Sequence, residues 1–307
     1  MAQAWFRLKP EAPYPPRATC GPASPGAMMF SFADGLVEET CLDMIGEDSV
    51  LLRLRASSRS WRDQCRPRLL ADCTSRLNSE DTSVRLAAIC LLVTAAEKEG
   101  RGITVEEARA AAAKGLDDPE PDVRRLAVRT FAHVAGPGDA EAFKKIAKHL
   151  EDRAWPVRWA AVDALTHVAG NTRRDAAVEL LTIRLQDRDW PVRRAAVGAL
   201  ARVSEPHDVG VMTAITGLSC DEEEDVRTAV VRILVQLVAK GDRAAVATIT
   251  DRMSDQHAMV RRAAAVALGH IADRGDVAAV AALHQGLRDK DASVQEAAQK
   301  ALDWVSA

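Results

Sequence analysis

The chain has 307 residues, 48% of them hydrophobic and only 4% aromatic, and a formal net charge of −3. A sizeable core is possible at this length, and a pool rich in Ala, Leu and Val suits close helix packing better than a sheet core. The near-neutral charge excludes a global basic signature for nucleic acid.

In chain order, residues 1–29 come first and read as a disordered arm, because residues 1–27 hold six of the thirteen prolines and the single Tyr. Residues 30–65 differ: FSFADGLVEETCLDMIGEDSVLLRLRASSRSWRDQC. An amphipathic opening around Leu36 leads to Asp48 and an apolar run at Val50, Leu51, Leu52 and Leu54, followed by Ser58, Arg59, Trp61 and Arg62. The second half, DSVLLRLRASSRSWR, resembles a divergent F-box, a small helical module that docks onto the Skp-type adaptor of cullin ubiquitin ligases. The resemblance implies that Leu36, Val50, Leu51, Leu54 and Trp61 face the adaptor. The first half departs from that pattern, with Ala33 where the family prefers Pro and with Leu42 and Ile45 off by one in spacing. The competing reading is a helical cap over the open apolar edge of the region that begins at residue 66, with Trp61 buried.

From residue 66 to 307 the chain is periodic. Seven segments align on Val84, Val123, Val157, Val192, Val226, Val260 and Val294, at steps of 39, 34, 35, 34, 34 and 34 residues. Arg follows six of these Val residues, at Arg85, Arg124, Arg158, Arg193, Arg227 and Arg261, and Gln295 follows the seventh. Leu or Met stands seven residues upstream in six repeats (Leu77, Leu116, Leu150, Leu185, Met253, Leu287), and Leu218 stands eight upstream in the other. An Asp comes soon after this apolar residue, at Asp118, Asp152, Asp187, Asp221, Asp255 and Asp289. The forms LEDRAWPVRWAAVDALTHVA, LQDRDWPVRRAAVGALARVS and LRDKDASVQEAAQKALDWVS resemble HEAT repeats, particularly the short variety also found in phycobilin lyases. The resemblance implies an all-α fold, an α-solenoid of about seven two-helix repeats.

In each repeat, helix A is expected to end at the upstream Leu and helix B to start just before the Val. Pro121, Pro156 and Pro191 fall at the first position of helix B, where a missing N–H costs nothing. Asp81 and Asp291 stand at cap positions, and Gly136, Gly170 and Gly241 where B helices end. With the Val as position zero, positions 0, 3, 4, 7, 8 and 11 form one apolar arc, and position 5 (Val128, Val162, Val197, Val231) touches the other neighbour. The recurring Arg and Asp form a ladder between repeats. Trp155 and Trp190, just before helix B, read as packing residues. In the last repeat Gln295 and Gln299 make a polar edge, as expected where an array stops.

Positions 2, 6 and 10 point away from this arc. They carry Arg125, Arg129 and His133; Trp159, Asp163 and His167; Arg194 and Arg202; Arg232 and Gln236; Arg262 and His270. If the B helices face inward, as in HEAT proteins, this stripe of six Arg and one Asp is a basic concave groove for a partner protein with an acidic surface. The alternative is a solvated face whose Arg stems cover their neighbours.

Catalytic readings find less support. The cysteines (Cys20, Cys41, Cys65, Cys73, Cys90, Cys220) form no CxxC pair, so neither zinc nor a disulfide framework is expected. Deoxyhypusine hydroxylases hold iron with His-Glu dipeptides, which this sequence lacks. HEAT-like alkylpurine DNA glycosylases use Trp and Asp on a basic face, where Trp159 and Asp163 stand one turn apart near Arg125, Arg129 and Arg194. A phycobilin lyase rests on repeat style alone. No run spans a bilayer and no secretory signal precedes the arm. The expectation is a non-catalytic protein-binding scaffold without cofactor, cytoplasmic or nuclear, monomeric apart from its partners, and a substrate receptor if residues 30–65 dock an adaptor. The second class is a HEAT-like enzyme or enzyme subunit.

Overall fold

The structure is a computed structural model and describes residues 71–97, 104–205 and 208–306. The segment assigned to an F-box-like module, with Leu36, Val50, Leu51, Leu54 and Trp61, lies outside the described residues. Among those described, every regular element is helical. A helical segment at 71–76 precedes α1 (Thr82–Glu97). Then come α2 (Val105–Gly115), α3 (Pro121–Ala135), α4 (Ala140–Lys148), α5 (Trp155–Ala169), α6 (Arg174–Arg184) and α7 (Trp190–Val203). The array continues with α8 (Val209–Thr216), α9 (Glu224–Leu237), α10 (Arg243–Arg252), α11 (Ala258–Ile271), α12 (Val277–Gly286) and α13 (Ala292–Val305). The odd-numbered helices are the B helices and the even-numbered ones the A helices. Short 3₁₀ turns, His149–Glu151 and Gly217–Cys220, complete two of the A helices.

The packing follows from the periodicity. The register Val is buried in six repeats and half-buried at Val84, and position 5 is sealed at Val128, Val162, Val197 and Val231. Each consecutive pair of B helices is in contact along the whole array, whereas contacts between successive A helices are sparse. Small residues make the tight B layer possible. Gly269 on α11 is the extreme case, because an added Cβ would stand 3.0 Å from the Ala301 Cβ and 3.1 Å from its Cα on α13.

Helix ends explain where the sequence expectations were off by a residue. Pro121 opens α3, but Pro156 and Pro191 stand second in α5 and α7, after Trp155 and Trp190. Both placements fall in the first turn, where the backbone N–H has no intrahelical partner. Asp81 and Asp291 accept from the N–H groups of Ser83 and Ser293, as caps should. Gly136 and Gly170 terminate α3 and α5 with φ of 75° and 54°. Gly241 is a correction. Helix α9 stops at Leu237, and Gly241 instead sits in the following turn with φ 81°, donating its N–H to the Ile271 carbonyl at 2.7 Å. Gly138 and Gly275 make the same bond, to Val168 and Val305, both at 2.9 Å. These glycines tie each turn to the end of the next B helix. The A helices have their own caps: Asp139, Asp208, Asp242 and Asp276 each accept the N–H three residues on, and Thr104 with Glu107 forms a reciprocal capping box.

Candidate interaction face

Six buried guanidiniums fasten the repeats. Arg85, Arg124, Arg158, Arg193, Arg227 and Arg261 each clamp, with two N–H groups, the Asp of the next repeat. Their third nitrogen donates to carbonyls five and six residues back in their own loop, as Arg193 does to Asp187 at 3.0 Å. The same Asp187 receives Arg158 on its carboxylate at 2.8 Å. Each Asp from Asp118 to Asp255 thus binds one Arg through its side chain and the next through its main chain, and the ladder is continuous. Each also accepts the N–H two residues on, for example Asp187 from Asp189 at 3.0 Å. In the last repeat, Gln295 keeps the carbonyl contact, to Asp289 at 2.6 Å.

The Arg158 and Asp187 side chains are only 5% and 4% exposed, so the pair is desolvated. Burial pushes Asp152, Asp187 and Asp255 up, but the guanidinium and amide donors outweigh it and hold all three below the usual carboxylate range. At Asp289 the Arg261 contact dominates, with the same result. These groups are saturated and belong to the frame, as expected from a set that recurs in nearly every unit.

The stripe residues behave differently. His133, Asp163, His167, Arg202 and Arg262 are exposed, and Arg125, Arg129, Trp159, Arg194, Arg232 and His270 are half-buried. All eleven therefore lie at the surface of the B layer, as their helical spacing requires. Adjacent repeats touch across it. The rings of His133 and His167 stack with centroids 6.4 Å apart, closer than the ~8–10 Å between packed helix axes, because the side chains lean together. His270 meets Trp304 edge-on at 5.1 Å. Arg202 donates to Asp163 Oδ1 at 3.0 Å and to the Thr166 hydroxyl at 3.4 Å. Burial holds Arg129 below its usual value, although Asp163 opposes the shift.

Spacing of positions 2, 6 and 10 alone missed part of this face. Position −1 shares its direction, at ~100° per residue, and adds Asp122 and Asp225 to this face; Asp122 lies 3.4 Å from Arg125. In the last repeat Glu296 and Lys300 pair across 2.6 Å at positions 2 and 6. The stripe is thus less uniformly basic than its arginines suggest. Thr228, at position 2 of the fifth repeat, is buried, which narrows the stripe there to Arg232 and Gln236. Three large apolar side chains are open on the same face: Met259 (47% exposed), Val266 (40%) and Trp304 (57%). Trp159 and Asp163 are one turn apart on α5, but Asp163 is already engaged by Arg202. Among the described residues, no three His, Cys, Asp or Glu side chains gather as metal ligands do. Nor is any described helix long and apolar enough to cross a membrane.

Comparison with known proteins agrees with this architecture. A family model for HEAT repeats matches residues 70–166, 109–201, 144–217 and 211–303. No curated protein matches the sequence. Among solved structures, the chain is similar to YibA of E. coli, with 17% identity and a TM-score of 0.57 over 87% of this chain and 92% of that one. It is also similar to Kap121p, with 14% identity and a TM-score of 0.62 over 88% of this chain but only 33% of that one. A second Kap121p structure gives 15% identity and a TM-score of 0.61 over 78% of this chain and 30% of that one. These likenesses are in fold. Since the matched segments run through most of the sequence and the ladder repeats in register with them, the chain belongs to the HEAT-repeat proteins.

Proposed function

We propose that the chain is a non-catalytic scaffold that holds a partner protein along the exposed face of its B helices, the concave groove of a HEAT array. The observation that carries this reading is a contrast within each repeat. The Arg–Asp ladder is buried, hydrogen-bonded and nearly invariant, whereas from the second repeat on positions 2, 6 and 10 change from repeat to repeat and, Thr228 apart, lie at the surface. Such variation on a constant frame is how solenoids build extended binding surfaces. Kap121p, a relative in fold, is bound to Ste12p in one of its matched structures and to the extreme C-terminus of the phosphatase Cdc14p in the other. A partner with acidic segments suits the cations of this face, Arg194, Arg232 and Arg262 among them, although carboxylates of the chain itself lie near Arg125, Arg202 and Arg262.

In the finer version, residues 1–29 are an arm, residues 30–65 dock a Skp-type adaptor through Leu36, Val50, Leu51, Leu54 and Trp61, and residues 66–307 select a ubiquitylation target in the cytoplasm or nucleus. The experiment is co-purification of the full chain, its Arg194→Glu/Arg232→Glu variant, and a version lacking residues 1–65. Partners that stay with the first and leave the second support the groove. An adaptor captured by the full chain and absent from the shortened one supports the receptor role. Undiminished capture by the charge-reversed variant contradicts the groove.

A further inference from the structure

One helix-interior glycine has no packing role. Gly198 sits at position 6 of α7, on the stripe, with an ordinary helical backbone. A Cβ there would meet only the Arg202 guanidinium, at 4.0 Å. Gly115, Gly269 and Gly286 contrast with it, because a Cβ on any of them would come within 2.8–3.0 Å of a neighbouring side chain. Glycine inside a helix is destabilising relative to alanine, and where neither φ nor packing demands it, a small residue leaves room for another chain to come close.

The position-6 row continues from Gly198 to Arg232 on α9 and Val266 on α11. Val266 is 40% exposed, and Trp304, edge-on to His270 one turn along from Val266, is 57% exposed. The remaining large exposed apolar residues among those described (Val105, Ile183, Val209, Val277) are scattered over A helices. The open apolar surface of the B layer is thus gathered at one end of a row that holds a cation one repeat away and a gap two repeats away. Neighbouring helices stand ~8–10 Å apart, and an extended chain advances about 3.4 Å per residue, so one repeat corresponds to about three residues of ligand.

Building on the scaffold reading, we infer that Gly198, Arg232, Val266 and Trp304 form a track for an extended segment of a partner protein. That segment carries a bulky apolar side chain on Val266 and Trp304, an acidic residue three positions away on Arg232, and passes with its backbone close to α7 at Gly198. The Arg194 guanidinium, also on α7, offers a second contact for a carboxylate about six positions from the anchor.

The test is fluorescence anisotropy of the full-length protein with fluorescein-labelled peptides. They carry a Trp anchor with Asp three and six positions away, in both chain orders. Controls carry Lys for Asp, or Asp shifted by one position. The expected result is binding of one acidic order at least about tenfold tighter than its Lys counterpart. Trp304→Ala weakens binding about tenfold, the scale of a buried aromatic anchor. Arg232→Glu removes the preference for Asp over Lys. Gly198→Leu abolishes binding while raising the melting temperature, a combination that misfolding does not produce. Equal affinity for acidic and basic peptides, or binding that survives both Gly198→Leu and Trp304→Ala, overturns the track. So does peptide-independent self-association that Trp304→Ala dissolves, which would make the patch a contact between two copies of this chain. If the peptides fail while Arg194→Glu/Arg232→Glu still strips partners from the full chain, the track falls and the scaffold reading stands.

Discussion

At the scale of the residue, the decisive feature is an arginine that answers three needs at once. Arg193 neutralises Asp221 across a repeat junction, satisfies the Asp187 carbonyl at 3.0 Å, and fills the space between loops with its stem. Removing it leaves a carboxylate that is 5% exposed without its counter-ion, a loss of about 3–5 kcal/mol. Arg193→Ala should therefore lower the urea midpoint markedly, and Arg193→Lys should restore little, because an ammonium cannot make the planar two-pronged contact. The same pairs set an acid limit. Asp152, Asp187, Asp255 and Asp289 titrate lower in the folded state than in the unfolded chain. Their stabilisation is present above the ordinary carboxylate range and lost as pH falls through the depressed folded values. Thermal melts between pH 7 and pH 3 should show stability declining below about pH 4, and a midpoint unchanged across that range would contradict the ladder.

At the scale of the element, the repeat is held by close approach as much as by apolar area. Gly269 lets α11 touch α13 so tightly that Gly269→Val must part the helices, at a cost of about 1–3 kcal/mol measured by denaturant unfolding. Much of the element level was legible in the sequence. The register Val, the upstream Leu and the loop Asp fix both helices and the junction between them, because each residue type answers a need that recurs at every repeat. What was missed has local causes. Gly241 looked like a helix end, yet Val238 already leaves the helix with ψ near 154°, and the glycine serves the turn instead. The caps Asp139, Asp208, Asp242 and Asp276 lie outside the register of helix B, although an Asp three residues before a buried Ala or Val marks four of the A helices.

At the scale of the whole array, the frame and the surface follow different rules, and only the frame repeats. Periodicity exposes what is common to the units, so the ladder and the core could be read from one sequence. The stripe is where the units differ, and there the sequence is only partly legible. Its arginines stand out, but Asp122, Asp225 and Glu296 share the same face, as do the open Met259, Val266 and Trp304. Asp122, Asp225 and Met259 follow from extending the i, i+3, i+4 rule one turn back, to position −1, whereas Glu296, Val266 and Trp304 already stand at positions 2, 6 and 10 of their repeats. No periodicity identifies a partner, because recognition depends on the residues that break the pattern.

The central claim is that the face of the B helices does the binding. It is tested most directly by a photo-crosslinking amino acid placed in the full chain, in one protein at Arg262 on α11 and in another at Glu179 on the A helix α6, both exposed. The account predicts a discrete crosslinked protein from position 262 and none from position 179. Crosslinks from position 179 with none from position 262 would contradict it, and would move the working surface of the molecule to the A helices.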